Sequence, residues 1–191
     1  MNIDASKLTP YIITLDNSSP AVDLSELKKI GVVGAFVDAG YLYTQTHTRL
    51  ALNSDWIRNK SMTDQIKAVK AADLKLGLFF YARASTTAQV KEEIDGVDNI
   101  IRNNYVDLGV WLVPSLTSDI ATNDRLLNAY YSELSKLGIT DRIGLYCNKY
   151  FLKQITWKDQ CLNWYLWLID HVNDTSVLAG LLDPEFFNVE V

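Results

Sequence analysis

Gly31-Val-Val-Gly-Ala-Phe-Val37 is seven residues long and apolar on both faces. A strand that meets water on one side alternates apolar and polar residues. Continuous apolarity instead fits a parallel sheet covered on both sides. The same type of run returns at Tyr11-Ile-Ile-Thr-Leu15, Gly77-Leu-Phe-Phe-Tyr81, Leu108 to Val113, Arg142 to Tyr146 and Trp164 to Ile169. Between the runs lie segments with helical spacing, so strands and helices alternate along the chain. That order predicts an α/β architecture with parallel strands.

The helical segments carry their own start and stop signals. Asp23 reads as an N-cap with Glu26 three residues on, ahead of Leu24, Leu27 and Ile30. Ile66, Val69 and Leu74 give the buried stripe of a helix near Thr63 to Leu74. Thr86-x-x-Gln89 matches a capping box and opens a helix with Val90, Ile94, Val97 and Ile101 inward. Asp119 to Leu137 has Leu126, Leu127, Tyr130, Leu134 and Leu137 in register and closes on Gly138 as a C′ residue. A short helix is expected near Tyr150 to Ile155 and a last strand at Phe186 to Val191. Two architectures accept such a string: a doubly wound open sheet and a closed β/α barrel.

Composition narrows the function classes. The chain has 191 residues and a formal charge of −5. That is the length of one domain, read here as spanning 1–191. An acidic balance disfavours nucleic-acid partners, which need a basic face. No apolar run reaches the roughly 20 residues of a membrane span, and no signal peptide is expected from Met1 to Pro10. Two cysteines (Cys147, Cys161) and two histidines (His47, His171) are too few for a disulfide framework or a multi-histidine metal site, so no metal is expected. Neither a Gly-x-Gly-x-x-Gly nor a phosphate-loop motif follows the first strand, and no organic cofactor is expected.

The strand ends hold the candidate chemistry. Asp16, Asp38, Tyr81, Tyr146 and Asp170 each end an apolar run. In a barrel these ends converge on one face, where a site would lie. Tyr41, Tyr43, Trp111 and Trp167 add aromatic surface suited to stacking, although aromatics are equally core fillers. Asp16 stands before Asn17-Ser18-Ser19 and reads as a site carboxylate or as the cap of a turn. Lys28-Lys29 and Lys91-Glu92-Glu93 read as solvated helix faces.

The order of these segments resembles the glycoside hydrolase family 25 muramidases, the lysozymes of phage endolysins and bacterial wall-remodelling enzymes. Thr14-Leu-Asp16-Asn-Ser18 stands where that family has Gly-Ile-Asp-Val-Ser. Gly34-Ala-Phe-Val-Asp38-Ala-Gly40 stands where it has a strand ending in a basic residue, a small residue and a glycine. Ala71 to Arg83 is similar to its Ala-x-x-x-Gly-x-x-x-Gly-x-Tyr-His-Tyr/Phe stretch. Gly144-Leu-Tyr146-Cys-Asn-Lys-Tyr150 and Tyr165-Leu-Trp167-Leu-Ile169 resemble two further strands. The resemblance implies an irregular β/α barrel and peptidoglycan as the ligand, with Asp16 as the family-matching acid. Tyr81, Tyr146, Trp167, Asp38 and Asp170 then line a substrate groove.

The family's chemistry centres on an Asp-x-Glu pair at the end of the fourth strand. Here that strand ends Trp111-Leu-Val-Pro-Ser-Leu116, with no carboxylate in any nearby register. Asp107 precedes the strand and Asp119 follows the loop. Phe79 replaces the family's tyrosine in the third strand, and Asp38 its basic residue in the second. The expectation is a catalytically degenerate, glycan-binding or structural protein of a phage tail or wall-associated assembly. The alternatives are an active muramidase with a relocated acid, drawn from Asp16, Asp38 and Asp170, and a scaffold with no ligand.

Overall fold

The computed structural model describes residues 11–43, 55–57, 59–115, 119–140, 142–148, 154–156 and 165–169. Its elements run β1 (Tyr11–Leu15), α1 (Leu24–Lys29), β2 (Val32–Tyr43), β3 (Asp55–Ile57), α2 (Met62–Ala71), β4 (Lys75–Ala82), α3 (Thr87–Asn103), β5 (Val110–Pro114), α4 (Ile120–Lys136), β6 (Ile143–Asn148) and β7 (Tyr165–Ile169). The strands form one sheet in the order β1-β2-β4-β5-β6-β7, every neighbour pair parallel, with β3 antiparallel on β2. The sheet curls as a half-barrel with helices on its outer side. The helix expected near Tyr150, the strand expected at Phe186 to Val191, and Cys161, His47 and His171 fall outside the described residues.

Local chemistry explains the helix boundaries. The Asp23 carboxylate accepts the Ser25 and Glu26 amides at the start of α1. Thr86 and Gln89 complete a reciprocal capping box on α3. Asp119 caps α4 by accepting Thr122 N–H, and Gly138 ends it at φ 79°. No described helix is long and apolar enough to cross a membrane.

The strands bury both faces, as their composition requires. Outward, Ala35, Val37, Leu76, Leu78, Phe80, Val110, Leu112, Ile143 and Leu145 pack against the buried stripes of α2, α3 and α4. Inward, Phe36, Phe79 and Trp111 form a second cluster, joined by Ile12, Tyr81, Leu108, Val113 and Tyr146. Register places aromatic residues against glycines on the next strand: Phe36 pairs with Gly77, and Trp111 with Gly144. A Cβ added at Gly77 would lie 2.2 Å from the Phe36 ring, and one at Gly144 would lie 2.3 Å from Trp111. These glycines are spaces that the rings occupy. Trp111 is 3% exposed and its indole N–H donates to Leu108 O at 2.9 Å, so it belongs to the core and not to a stacking surface.

One charged residue departs from its expected place. Glu93, read in the sequence as part of a solvated face, is 1% exposed. It lies on the buried stripe of α3 among Val90, Ile94 and Val97. Its Oε1 accepts Arg83 N–H at 3.0 Å, and its Oε2 accepts the Tyr130 hydroxyl of α4 in a short hydrogen bond. Burial pushes its carboxyl up from 4.5 to about 7, against the lowering effect of the Tyr130 and Arg83 hydrogen bonds. Burial, and then the Glu93 charge and hydrogen bond, drive the Tyr130 hydroxyl upward. The group ties α3 and α4 to the first residue after β4.

Two outcomes follow for stability. Gly77→Ala is expected to destabilise the fold by about 1–3 kcal/mol through overpacking against Phe36, read by chemical denaturation; Phe36→Leu in the same chain should recover part of the loss. Glu93 holds its proton more tightly folded than unfolded. Its contribution is therefore complete below about pH 4.5 and is lost as pH rises through about 7. Full ionisation weakens the fold by on the order of 3 kcal/mol. Denaturation midpoints between pH 5 and 8 should fall more steeply for the native sequence than for Glu93→Gln; parallel profiles would contradict this account.

Candidate functional site

Parallel strands send all their C-terminal ends to one edge of the sheet. At that mouth stand Asp16 after β1, Asp38 and Tyr41 of β2, Tyr81 of β4 with Arg83 just beyond it, Ser115 after β5, and Tyr146 of β6. The inner cluster of Phe36, Phe79 and Trp111 forms the floor below them. Phe79 lies 6.1 Å from Tyr81 and 6.5 Å from Tyr146, centroid to centroid, so both tyrosines rise from the same apolar base. Both are half-buried, and burial raises both phenols.

Asp16 and Asp38 lie one step beyond the last registered pair of β1 and β2, Leu15 with Val37. Adjacent strands are about 4.8 Å apart, so the two carboxylates are neighbours. Their environments differ. Asp16 Oδ1 accepts Ser18 N–H at 2.8 Å and the Ser18 hydroxyl at 2.7 Å. Those bonds hold its carboxyl below the usual range. This is the turn-capping chemistry expected of Asp-Asn-Ser-Ser, at a residue on the mouth. Asp38 is 8% exposed and accepts Gly40 N–H at 2.8 Å. Burial raises it, with the Asp16 charge adding to the effect. Both carboxylates act electrostatically on Tyr81.

The sequence reading ended the second strand near Asp38, whereas β2 runs on to Tyr43. Asp38 pairs with Phe79, yet Tyr41 pairs with Tyr81, so β2 spends three residues where β4 spends two. Gly40 sits in this bulge at φ 108°, a conformation that favours glycine. Without the extra residue, alternation would turn Tyr41 toward the helices. With it, Tyr41 shares the inner face, 6.4 Å from the Tyr81 ring. The Arg83 guanidinium lies over both rings, 4.1 Å from the Tyr41 centroid and 5.6 Å from that of Tyr81. Its parity two residues after Tyr81 is the sequence signal for that placement.

The remaining sequence candidates separate clearly. Trp167 is placed by its backbone in β7, paired with Tyr146. Asp170 lies outside the described residues. Asp107 sits at the opposite end of the sheet, where it accepts Leu76 N–H at 3.1 Å. Asp119 is the cap of α4. Ser115 stands on the mouth beside β4, its N–H donating to Ala82 O at 2.9 Å. Among the described residues, no three His, Cys, Asp or Glu side chains are grouped to hold a metal ion.

No family model and no curated protein matches the sequence. Solved structures do. A glycosyl hydrolase 25 of Streptococcus pneumoniae, GHIP, described as a virulence factor participating in host cell invasion, superposes with a TM-score of 0.66 at 15% identity, covering 90% of this chain and 73% of that one. The modular autolysin LytC of Streptococcus pneumoniae, solved with a synthetic peptidoglycan ligand, superposes with a TM-score of 0.61 at 15% identity over 74% of this chain. This chain spans 33% of the autolysin's length. At such identities the likeness is one of architecture: the chain has the irregular half-barrel fold of a family 25 glycosyl hydrolase.

Proposed function

We propose that the chain binds cell-wall glycan in the mouth of its half-barrel and does not hydrolyse it. The observation that carries this reading is the end of β5. There Val113-Pro114-Ser115 occupies the mouth, and no residue from Leu108 to Ser118 is acidic. Glycoside cleavage needs a proton donor at the leaving oxygen, worth typically about 10²- to 10⁴-fold in rate. It also needs a second carboxyl group beneath the anomeric carbon. A serine hydroxyl is too weak an acid to replace the donor. The rim of Tyr81 and Tyr146, half-buried above the packed floor, still offers aromatic surface on which a sugar ring can stack. The solved complex of the like-folded autolysin with a peptidoglycan ligand supports cell-wall glycan as the class. A wall-facing assembly such as a phage tail is the setting proposed for it.

One observation favours an active enzyme as the second reading. Asp16 is held ionised while its neighbour Asp38 is held toward the neutral form, and opposed pairs of this kind supply acid and base in glycosidases. Against it, Asp38 is 8% exposed and its carboxyl is engaged by Gly40 N–H, which withdraws it from a glycosidic oxygen.

Purified peptidoglycan sacculi distinguish these readings. The protein is expected to sediment with sacculi while releasing no soluble muropeptides. Tyr81→Ala and Tyr146→Ala should each weaken binding several-fold, since each removes a ring from the rim. Muropeptide release that disappears in Asp16→Asn would establish the enzyme instead. Absence of binding by the native protein would leave a scaffold with no ligand.

A further inference from the structure

Tyr41 and Tyr81 stand at 89° to each other with centroids 6.4 Å apart, so the two rings form the walls of a corner at the mouth. Tyr81 packs on the inner cluster of Phe36, Phe79 and Trp111, and its half-exposed surface is the side away from that floor. The corner is occupied. The Arg83 guanidinium lies 4.1 Å from the Tyr41 centroid and 5.6 Å from that of Tyr81, reaching from β4 toward β2. A saccharide carbon in contact with a ring carbon sits about 3.5–4.0 Å from it. The guanidinium therefore takes the space that a stacked sugar would use. The two ends of the residue are held unequally. Its backbone N–H donates to the buried Glu93 carboxyl at 3.0 Å, which fixes the main chain. Its side chain is exposed, and among the described residues no ion pair or side-chain hydrogen bond holds it beside the two rings. A cation on an aromatic face at an exposed site is a weak contact, and a long arginine stem has many other rotamers to adopt.

We propose that Arg83 is an intramolecular occupant of the Tyr41–Tyr81 corner and that a ligand stacking there must first displace it. The assignment rests on the glycan-binding reading and adds a self-inhibitory contact to that site. The bulge at Gly40 is the reason the contact exists, because it turns Tyr41 to the inner face beside Tyr81. The ligand-free protein thus covers part of its own aromatic surface. The bond to Glu93 anchors the main chain, so displacement is a swing of one side chain and not a rearrangement of β4. Removing that side chain should then tighten binding, where removing an ordinary contact residue weakens it.

The test is calorimetric titration of the whole chain with N,N′-diacetylchitobiose, a neutral disaccharide that offers the arginine no counter-charge. Arg83→Ala should bind it about two- to five-fold more tightly than the native protein does, the fold-change equivalent of one exposed cation–π contact. Nuclear magnetic resonance of the native protein gives a second readout. Without sugar, the Arg83 Nε–H proton should be shifted by the ring currents of the two tyrosines; saturating chitobiose should move it to the position of a solvated arginine. The alanine variant keeps the backbone N–H that Glu93 binds, and a thermal melt establishes that it folds; the resonance measurement needs no variant. Equal or weaker chitobiose binding by Arg83→Ala, or an arginine resonance that saturating sugar leaves unmoved, overturns the displacement and leaves the glycan reading intact. So does binding to sacculi by a protein that ignores chitobiose in both forms. If neither form binds chitobiose or sacculi, both readings fall.

Discussion

The half-barrel depends on filling its inner face. A curled parallel sheet buries its outer face under helices at little structural cost, because helix stripes and strand surfaces match over many residues. The concave side has less room, and close packing leaves no tolerance for one side chain too many. Here the solution is alternation between neighbouring strands. Phe36 lies against Gly77, Trp111 against Gly144, and Phe79 fits between them. The bulk that one strand supplies is the space that the next concedes. This packed cluster lies below the strand ends and gives the mouth an apolar floor. Every rim residue takes its height and direction from that floor.

Alternation alone would not assemble the rim. Strand parity sends Asp38, Tyr81 and Arg83 inward, but it would send Tyr41 outward. One additional residue in β2 reverses that, and Gly40 makes the reversal sterically possible. A local irregularity in one strand therefore determines what supports the cation on another. Glu93 contributes from the other side of the sheet. A carboxylate in an otherwise apolar helix stripe is tolerated because Tyr130 and the Arg83 amide satisfy it. Its two bonds tie the backbone at the end of β4 and the α4 hydroxyl to α3.

Much of this architecture was legible in the sequence, because its signals are local. Continuous apolar runs marked the parallel strands; Asp23, Thr86 with Gln89, and Gly138 marked helix ends within three residues of their partners. What escaped reading was non-local. Glu93 stands beside Lys91 and Glu92 and looked like the solvated member of a charge run. Its position on the Val90–Val97 stripe was visible, but Tyr130, which satisfies it, lies 37 residues away. The β2 bulge escaped because register is a relation between strands: nothing in Asp38-Ala39-Gly40-Tyr41 says that β4 will spend one residue fewer. Asp16 was ambiguous between cap and site; the structure shows its turn-capping bonds to Ser18 and Ser19 and sets it at the strand-end edge. Arg83 was visible only as the end of a resembling stretch, since its placement depends on rings from two strands.

Charge at the mouth is set by what each strand end carries. Asp16 follows β1 and Asp38 follows Val37 in β2, whereas Val113-Pro114-Ser115 brings no charge at the end of β5. The one described guanidinium at this edge, that of Arg83, lies over the rings of Tyr41 and Tyr81 and so leans from β4 toward β2. The β2 bulge therefore brings cation and carboxylates to the same side of the mouth, and parity alone would not have done so.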